Sequence, residues 1–534
     1  MRRAVISILT AVFLLAAVAG CAPAPDDPVD VPDPDDDGPA TGGTVVRGFH
    51  HDADSLDPHE SIALASRQIY SVMYDRLVYM GEDGNPQPWL AESWDVDEDG
   101  TLITFQLVED RQFHDGTPVN AEAVVYTFER MLDPDRASSA AVQFPGVTDV
   151  TALDEFTVQF RLEEPYAPFF NSMASAFGAI ISPAAAEDKG DGFGRSPVGS
   201  GPFMFDSWVP DSEIVFVRNP DYTTIRTDVE NQGPPHLDKL VIKIIPEQST
   251  RMSALRTGDI HLTNVAFAQA DTIGDEPGIT LHEQPAFNLN YVEFNQRKPP
   301  FDDKLVRQAV CLAIDVEEIV EITFFGHATP NPVMLPTGVA GHNPEIGERY
   351  GYGFDPDRAR ELLDEAGWVL PDGATVREKD GHFSLEVMMS SWSGTETTLE
   401  TIQSQLADVG FSVDLVLEEA GTWLARGRDG DQHLNWMRTT WAEPIVLSRS
   451  LRQGGTFRNF DLPELDAMLD EAAKEMNWDR REQMIDGINQ YVLENAISYP
   501  VLSDHDILGI RDSVVGYKRD ATGWKILNDV WVRP

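Results

Sequence analysis

The texture of this chain changes near residue 237, and that change limits the folds open to it. Before it, alternating apolar and polar runs are separated by turn-rich stretches such as Glu82-Asp83-Gly84-Asn85 and Asp97-Glu98-Asp99-Gly100, the pattern of antiparallel hairpins. Strands are predicted over 44–49 and 102–107, with strand pairs near 148–162 and 203–218. Two helices interrupt them, one over 61–75 and one over 121–132, the second capped by Asn120 and carrying Val124, Val125, Phe128 and Leu132 on one face. After residue 237 strands alternate with helices: a strand over 240–245, a helix over 248–257 stopped by Gly258, and a helix opened by Asp355-Pro356 and closed by Ala366-Gly367. A helix over 397–409 stops at Gly410 and runs straight into a strand over 411–417. Helices over 462–473 and 480–493 follow. This wiring calls for an α/β protein with a parallel or mixed sheet and a separate hairpin-rich unit.

The N-terminus reads as an export signal. Arg2 and Arg3 precede an apolar run over 4–18, too short to span a bilayer, which ends in Val18-Ala19-Gly20-Cys21. Residues 1–20 are therefore expected to be a signal peptide. The last four residues resemble the bacterial lipobox, which implies that the Cys21 sulfur carries a diacylglycerol tethering the chain to the outer face of a membrane. Residues 21–43 are almost wholly Pro, Asp, Ala and Gly beyond that cysteine, and form an acidic stalk unable to bury a core. Such a stalk reaches about 3 Å per residue where proline stiffens it.

Charge and motifs exclude several functions. With 89 acidic against 40 basic residues the net charge is -49, which rules out a polyanion surface as the main function, so nucleic acid is not an expected partner. Arginine outnumbers lysine among the basic residues, and the acidic excess fits a surface adapted to high salt. Cys311 is the one cysteine besides Cys21, so no disulfide framework is available, and its helical context places it on an apolar face. Asp95, Asp97, Asp99 and Gly100, like Asp33, Asp35, Asp37 and Gly38, match the start of a calcium loop, but the twelfth position holds Gln106 or Thr44 in place of glutamate. Nucleophile-elbow, zincin, Walker and dinucleotide motifs do not occur. The reading is of a binding protein without cofactor or metal; a surface hydrolase is the alternative from another class.

An ordered set of segments resembles the extracytoplasmic solute-binding proteins of family 5, which serve peptide and nickel importers. It comprises Tyr74-Asp75-Arg76-Leu77-Val78, Pro88-Trp89-Leu90-Ala91-Glu92-Ser93-Trp94, Phe113-His114-Asp115-Gly116-Thr117-Pro118-Val119 and Val198-Gly199-Ser200-Gly201-Pro202-Phe203. It continues with Asn219-Pro220-Asp221-Tyr222, Pro299-Pro300-Phe301-Asp302-Asp303, Arg307-Gln308-Ala309 and Ala313-Ile314-Asp315. The turn at His114-Asp115-Gly116 and the conformational freedom of Gly199 and Gly201 assign these segments to building the fold rather than to touching a ligand. The resemblance implies a two-lobed periplasmic-binding-protein-like fold (type II, cluster C) with an extra inserted domain. Domain I would comprise 44–78, 181–290 and 502–534, domain II the hairpin-rich insertion 79–180, and domain III 291–501. It further implies a monomer that captures a solute between its lobes by hinge closure and delivers it to an ABC permease in the membrane.

For the solute, the resemblance points to peptides, with oligosaccharides as the alternative. In the family's peptide binders an aspartate within W-x-A-D-Y-x-(D/E)-P pairs with the ligand's α-amino group; the matching stretch here runs from Trp436 to Pro444. Thr440 takes the aspartate position when Glu443-Pro444 is aligned, and Thr439 takes it when Trp436 is aligned. A hydroxyl cannot neutralise an ammonium, and charge-assisted hydrogen bonds are about twice as strong as neutral ones. Trp392, Trp436 and Trp441 are candidate aromatic contacts, and Glu443 is a candidate substitute acid. Arg438 is a candidate for bidentate carboxylate binding, and His50 and His51 for lining the cleft.

Overall fold

A computed structural model describes residues 38–136, 138–381, 383–392, 394–452, 457, 459–520 and 525–533, the side chains of 383, 392 and 525 excepted. The signal segment, Cys21 and nearly all of the stalk lie outside these residues. Residues 40–534 form one compact unit.

Its spine is a twelve-stranded mixed sheet. The main path runs Ser412–Glu418, Glu386–Trp392, Leu434–Thr440, Asn288–Phe294, Ser498–Arg511, Leu262–Asn264, Thr44–Phe49, Lys239–Ile244, Glu213–Arg218 and Phe203–Val209. Glu386–Trp392 and Ser412–Glu418 pair in parallel across the helix Glu396–Asp408, as the strand-helix alternation requires. Thr44–Phe49 also pairs in parallel with Lys239–Ile244, although nearly two hundred residues separate them. The fourteen-residue strand Ser498–Arg511 joins the two halves: Tyr499, Val501 and Leu502 belong to a C-terminal core, while Leu508 and Ile510 belong to an N-terminal one. Beside the large sheet stands a four-stranded antiparallel sheet, Ala91–Val96, Leu102–Leu107, Thr157–Leu162 and Val147–Ala152. The helix Ala121–Leu132 covers it through a cluster of phenylalanine edges that includes Phe105, Phe128, Phe144 and Phe160.

Local sequence signals explain many boundaries. Asn120 accepts from the Ala123 amide, Asp355 from Arg358 and Asp315 from Glu318, each closing an otherwise open helix start. Gly258 ends the helix Gln248–Thr257 in the left-handed region. The helix predicted over 61–75 is shorter, Leu64–Tyr70, because tertiary partners claim its ends. Ser61 Oγ donates to Asp54, and Asp75 accepts from Ser200 Oγ at 3.0 Å and Tyr222 Oη at 3.1 Å. The calcium-like loop is a hairpin turn in which the Asp97 carboxylate accepts from the Thr101 and Leu102 amides. Cys311 is fully buried in the C-terminal core, where burial pushes its thiol well above the ordinary range.

The segments that resemble family 5 lie against one another. His114 Nε2 donates to the Gly201 carbonyl at 2.9 Å and the His114 amide to that of Gly199 at 2.8 Å, while Arg76 stacks over Trp89. Gly199 and Gly201 are not among the glycines with positive φ, which corrects the expectation of special backbone angles. What they supply is closeness: a Cβ on Gly199 would stand 2.0 Å from the Met73 carbonyl oxygen, and one on Gly201 would stand 2.7 Å from the Met73 carbonyl carbon.

Candidate ligand-binding site

The strand Leu434–Thr440 passes from the C-terminal core to the surface along its own length. Its first four residues are buried between Asn288–Phe294 on one side and Glu386–Trp392 on the other, whereas Arg438 and Thr440 are exposed and Thr439 is half-buried. Trp436, expected as an aromatic contact, is 1% exposed and packs in the C-terminal core, so it presents no face to a solute in this conformation. A tryptophan at a central position of a sheet covered on both faces has nowhere else to go.

Arg438 is held by an acid that sequence reading missed. Its Nη2 donates to Asp504 Oδ2 at 2.8 Å, with the Arg438 side chain 44% exposed and that of Asp504 9%. Asp504 lies on the long strand Ser498–Arg511, two strands away from Arg438. Between them, Asn290 Nδ2 donates to Asp504 Oδ1 at 2.7 Å and Asn288 Oδ1 accepts from the Asp504 amide. Nothing in Leu502-Ser503-Asp504-His505-Asp506 marks that carboxylate; only the strand register reveals it. The pair leaves the remaining guanidinium donors of Arg438 available at the surface.

Trp441 and Glu443 have different surroundings. The Trp441 amide donates to the Phe287 carbonyl, its ring stacks on Phe177 with centroids 6.3 Å apart, and Arg449 Cζ lies 4.6 Å from its centroid. Glu443 is buried and committed: one oxygen pairs with Arg481 Nη2 without a well-aligned hydrogen bond, and the other accepts from the Ile445 amide. Arg481 Nε in turn donates to the Ala472 carbonyl at 3.0 Å.

The structure does not join the remaining candidates to this group. His50 and His51 are exposed on the loop after Thr44–Phe49, ring to ring at 4.5 Å. Partial desolvation of the ring against its neighbours, with the charges of His51, Arg251 and Arg47, holds His50 below the ordinary imidazole range. Neither ring makes a hydrogen bond or ring contact with Leu434–Thr440 among the described residues. Trp392 ends the strand Glu386–Trp392 opposite Glu418, and its side chain lies outside the described residues.

A cavity of about 380 Å³ opens between the hairpin-rich sheet unit and the C-terminal helices. Phe170, Phe287, Met476 and Trp478 give it apolar walls, and Asn171, Glu443 and Arg481 add polar groups. Among the described residues, Glu443 is the only one of the expected set that lines it. Contacts between segments remote in sequence join the hairpin-rich unit to the C-terminal helices: Asn171 Nδ2 donates to the Ala442 carbonyl, the Ala167 amide to that of Ala473, and Lys474 pairs with Glu164. Among the described residues no cluster of three or more His, Cys, Asp or Glu is placed to hold a metal, and no helix is long and apolar enough to cross a membrane.

A mixed sheet thus bridges two cores, a cavity lies between the hairpin-rich unit and the C-terminal helices, and an ion-paired arginine stands near the exposed end of a central strand. The sequence model described as "Bacterial extracellular solute-binding proteins, family 5 Middle" matches residues 85–449, and the chain belongs to that family. The glutathione-binding protein GsiB of Pectobacterium atrosepticum is 30% identical over 369 residues, 69% of this chain and 68% of the relative. Heme-binding protein A of Haemophilus influenzae is 30% identical over 487 residues, 85% of each chain. The solved structure of HbpA2 from Haemophilus parasuis superposes with a TM-score of 0.81 at 24% identity, covering 92% of this chain and all of that one. The fold is thus the two-lobed α/β fold of periplasmic binding proteins.

Proposed function

We propose that this protein is the lipid-anchored substrate-binding component of an ABC importer, which captures a peptide-like solute between its lobes and delivers it to a membrane permease. The observation that carries the solute class is the strand end at Arg438: an exposed guanidinium fixed by Asp504, beside two threonines where an aspartate would receive an amine. That chemistry favours a ligand recognised through its carboxylate, and the relative named for glutathione, a tripeptide, fits it. Lobe closure has a natural axis where Ile279–Pro285 gives way to Asn288–Phe294 and where Ser498–Arg511 passes Asp504, the two places at which the sheet crosses between cores. The lobes would follow the division 44–78 with 181–290 and 502–534, then 79–180, then 291–501. Cys21 would supply the anchor. Closure needs a ligand that binds the closed state more tightly than the open one.

Calorimetric titration of glutathione and N-acetylglutathione, with small-angle scattering of the same samples, tests this. Saturable binding, compaction at saturation and an acetylation effect under about 1 kcal/mol, the net worth of one neutral hydrogen bond, are expected. A loss of a hundredfold or more on acetylation, about 2.7 kcal/mol, would mean that an acid does hold the amine, with Asp504 the first residue to mutate.

A further inference from the structure

Given that solute-binding role, we propose that Gly84, at the tip of a hairpin finger beside the cavity, is a size-determining residue of the solute site: the tip seats on Ala340 and Trp478 and limits capture to solutes small enough to be enclosed. The finger is a two-stranded ribbon, Val78–Met80 paired with Pro86–Pro88, separate from the four-stranded sheet. Its base is fixed to the N-terminal half. Val78 is buried in the core of the hairpin-rich unit, Arg226 Cζ lies 4.4 Å from the Tyr79 centroid and 4.3 Å from that of Trp89, and Tyr79 Oη hydrogen-bonds with Thr227 Oγ1 at 2.8 Å. The tip is braced from within: the Gly84 amide donates to the Gly81 carbonyl at 3.0 Å, and Asp83 accepts from the Asn85 amide and from Asn85 Nδ2, each at 3.1 Å.

The seat belongs to the C-terminal half. Trp478 opens the helix Trp478–Glu494, whose start Asn477 caps by accepting from the Arg480 amide, and Ala340 follows Val339, which is buried in one core with Ile485 of that helix. Gly84 is buried although Glu82 and Asp83 of the same turn are exposed. A Cβ on Gly84 would stand 2.7 Å from Ala340 Cβ and 3.0 Å from Trp478 Cζ2. Carbon atoms settle about 3.5–4.0 Å apart, so a methyl group at 84 would push the tip back by about 1 Å. Gly84 thus reaches its seat because it has no side chain, and its φ of +76° suits glycine as well. Gly84, Ala340 and Trp478 all line the cavity, whose volume of about 380 Å³ lies near the lower end of the roughly 300–1,000 Å³ of sites that enclose small ligands. A solute that outgrows the cavity on this side parts the tip from its seat and forfeits the closed state.

The test compares a tripeptide, Ala-Ser-Ala, with an octapeptide of four Ala-Ser repeats by calorimetry in wild type, Gly84→Ala and the double variant Gly84→Ala with Ala340→Gly. Wild type is expected to prefer the tripeptide by about tenfold or more, since tight capture depends on a closed state that the longer chain prevents. Gly84→Ala should lose most of that preference by weakening the tripeptide, and Ala340→Gly should restore it by clearing the 2.7 Å contact. Strain from the positive φ is common to both variants, so a loss that the second substitution does not restore would overturn the assignment. Equal binding of the two lengths by wild type, or an unchanged preference in Gly84→Ala, would overturn it as well while leaving the peptide-binding role intact. Should wild type bind neither peptide, that role fails, and mild oxidation of the variant Gly84→Cys with Ala340→Cys decides the seat without a solute. An intramolecular disulfide mapped by digestion to positions 84 and 340 upholds it; failure to form that disulfide overturns it.

Discussion

Glu293 makes the stability of this protein depend on pH in the opposite sense to most acidic residues. It lies on the strand Asn288–Phe294, 2% exposed, with Asn435 Nδ2 donating to it at 3.4 Å. Burial outweighs the hydrogen bonding of Asn459 and Asn435 and raises its carboxyl from 4.5 to about 8. The folded protein therefore keeps a proton that the unfolded chain releases, so the residue costs nothing below about pH 4.5 and destabilises progressively as pH rises towards 8. At pH 7 the cost is roughly 3 kcal/mol, taking 1.4 kcal/mol per unit between the unfolded value and the working pH. Glu293→Gln removes the titration and keeps the shape, and its amide can donate to Asn435 Oδ1 and Asn459 Oδ1, both buried and without hydrogen-bond partners among the described residues. Urea unfolding of the two proteins at pH 5, 6, 7 and 8 checks this, following the transition that includes the C-terminal core. The stability difference should move in favour of the glutamine variant as pH rises. A difference that is flat with pH, or that moves the other way, would refute the reasoning, because either requires a Glu293 ionised in the fold at neutral pH.

Three further outcomes follow from the structure. Glu443→Ala should cost about 3–5 kcal/mol in denaturant unfolding by stranding the buried Arg481, and Glu443→Leu combined with Arg481→Met should recover most of it. Gly199→Ala should lower the melting temperature strongly, since its Cβ meets the Met73 backbone at 2.0 Å, whereas Gly116→Ala, with open space around its Cβ, should lose only about 1 kcal/mol from its positive φ. Cys21→Ser should move the protein from the membrane to the soluble fraction with its melting temperature unchanged, as the cores lie wholly within the folded unit; continued sedimentation with membranes would contradict the anchor.

Much of the fold was legible because it is local. Ala121–Leu132 and Gln248–Thr257 have the limits their caps and apolar spacing dictate, and the strand-helix-strand passage through Gly410 appears as read. The site was less legible because register creates it. Arg438 and Asp504 are brought together by two antiparallel pairings around Asn290, and no pattern in either segment announces the partner. Trp436 and Trp441 look alike in sequence, yet one fills a core and the other stacks on Phe177, since the first lies where the strand is covered on both faces and the second lies just past its end. Similarly, Arg449 has no motif, and its pairing with the Trp441 ring depends on how the helix Val446–Leu451 folds back over the strand end.

The central claim, that this is a binding protein for a peptide-like solute, is tested most directly by native mass spectrometry of the protein purified without denaturation and then titrated with glutathione. The account predicts a one-to-one noncovalent complex, either with a small co-purified solute or with added glutathione, that releases its ligand chemically unchanged on activation. A spectrum that stays ligand-free throughout the titration, or one in which the added peptide is consumed, would contradict it.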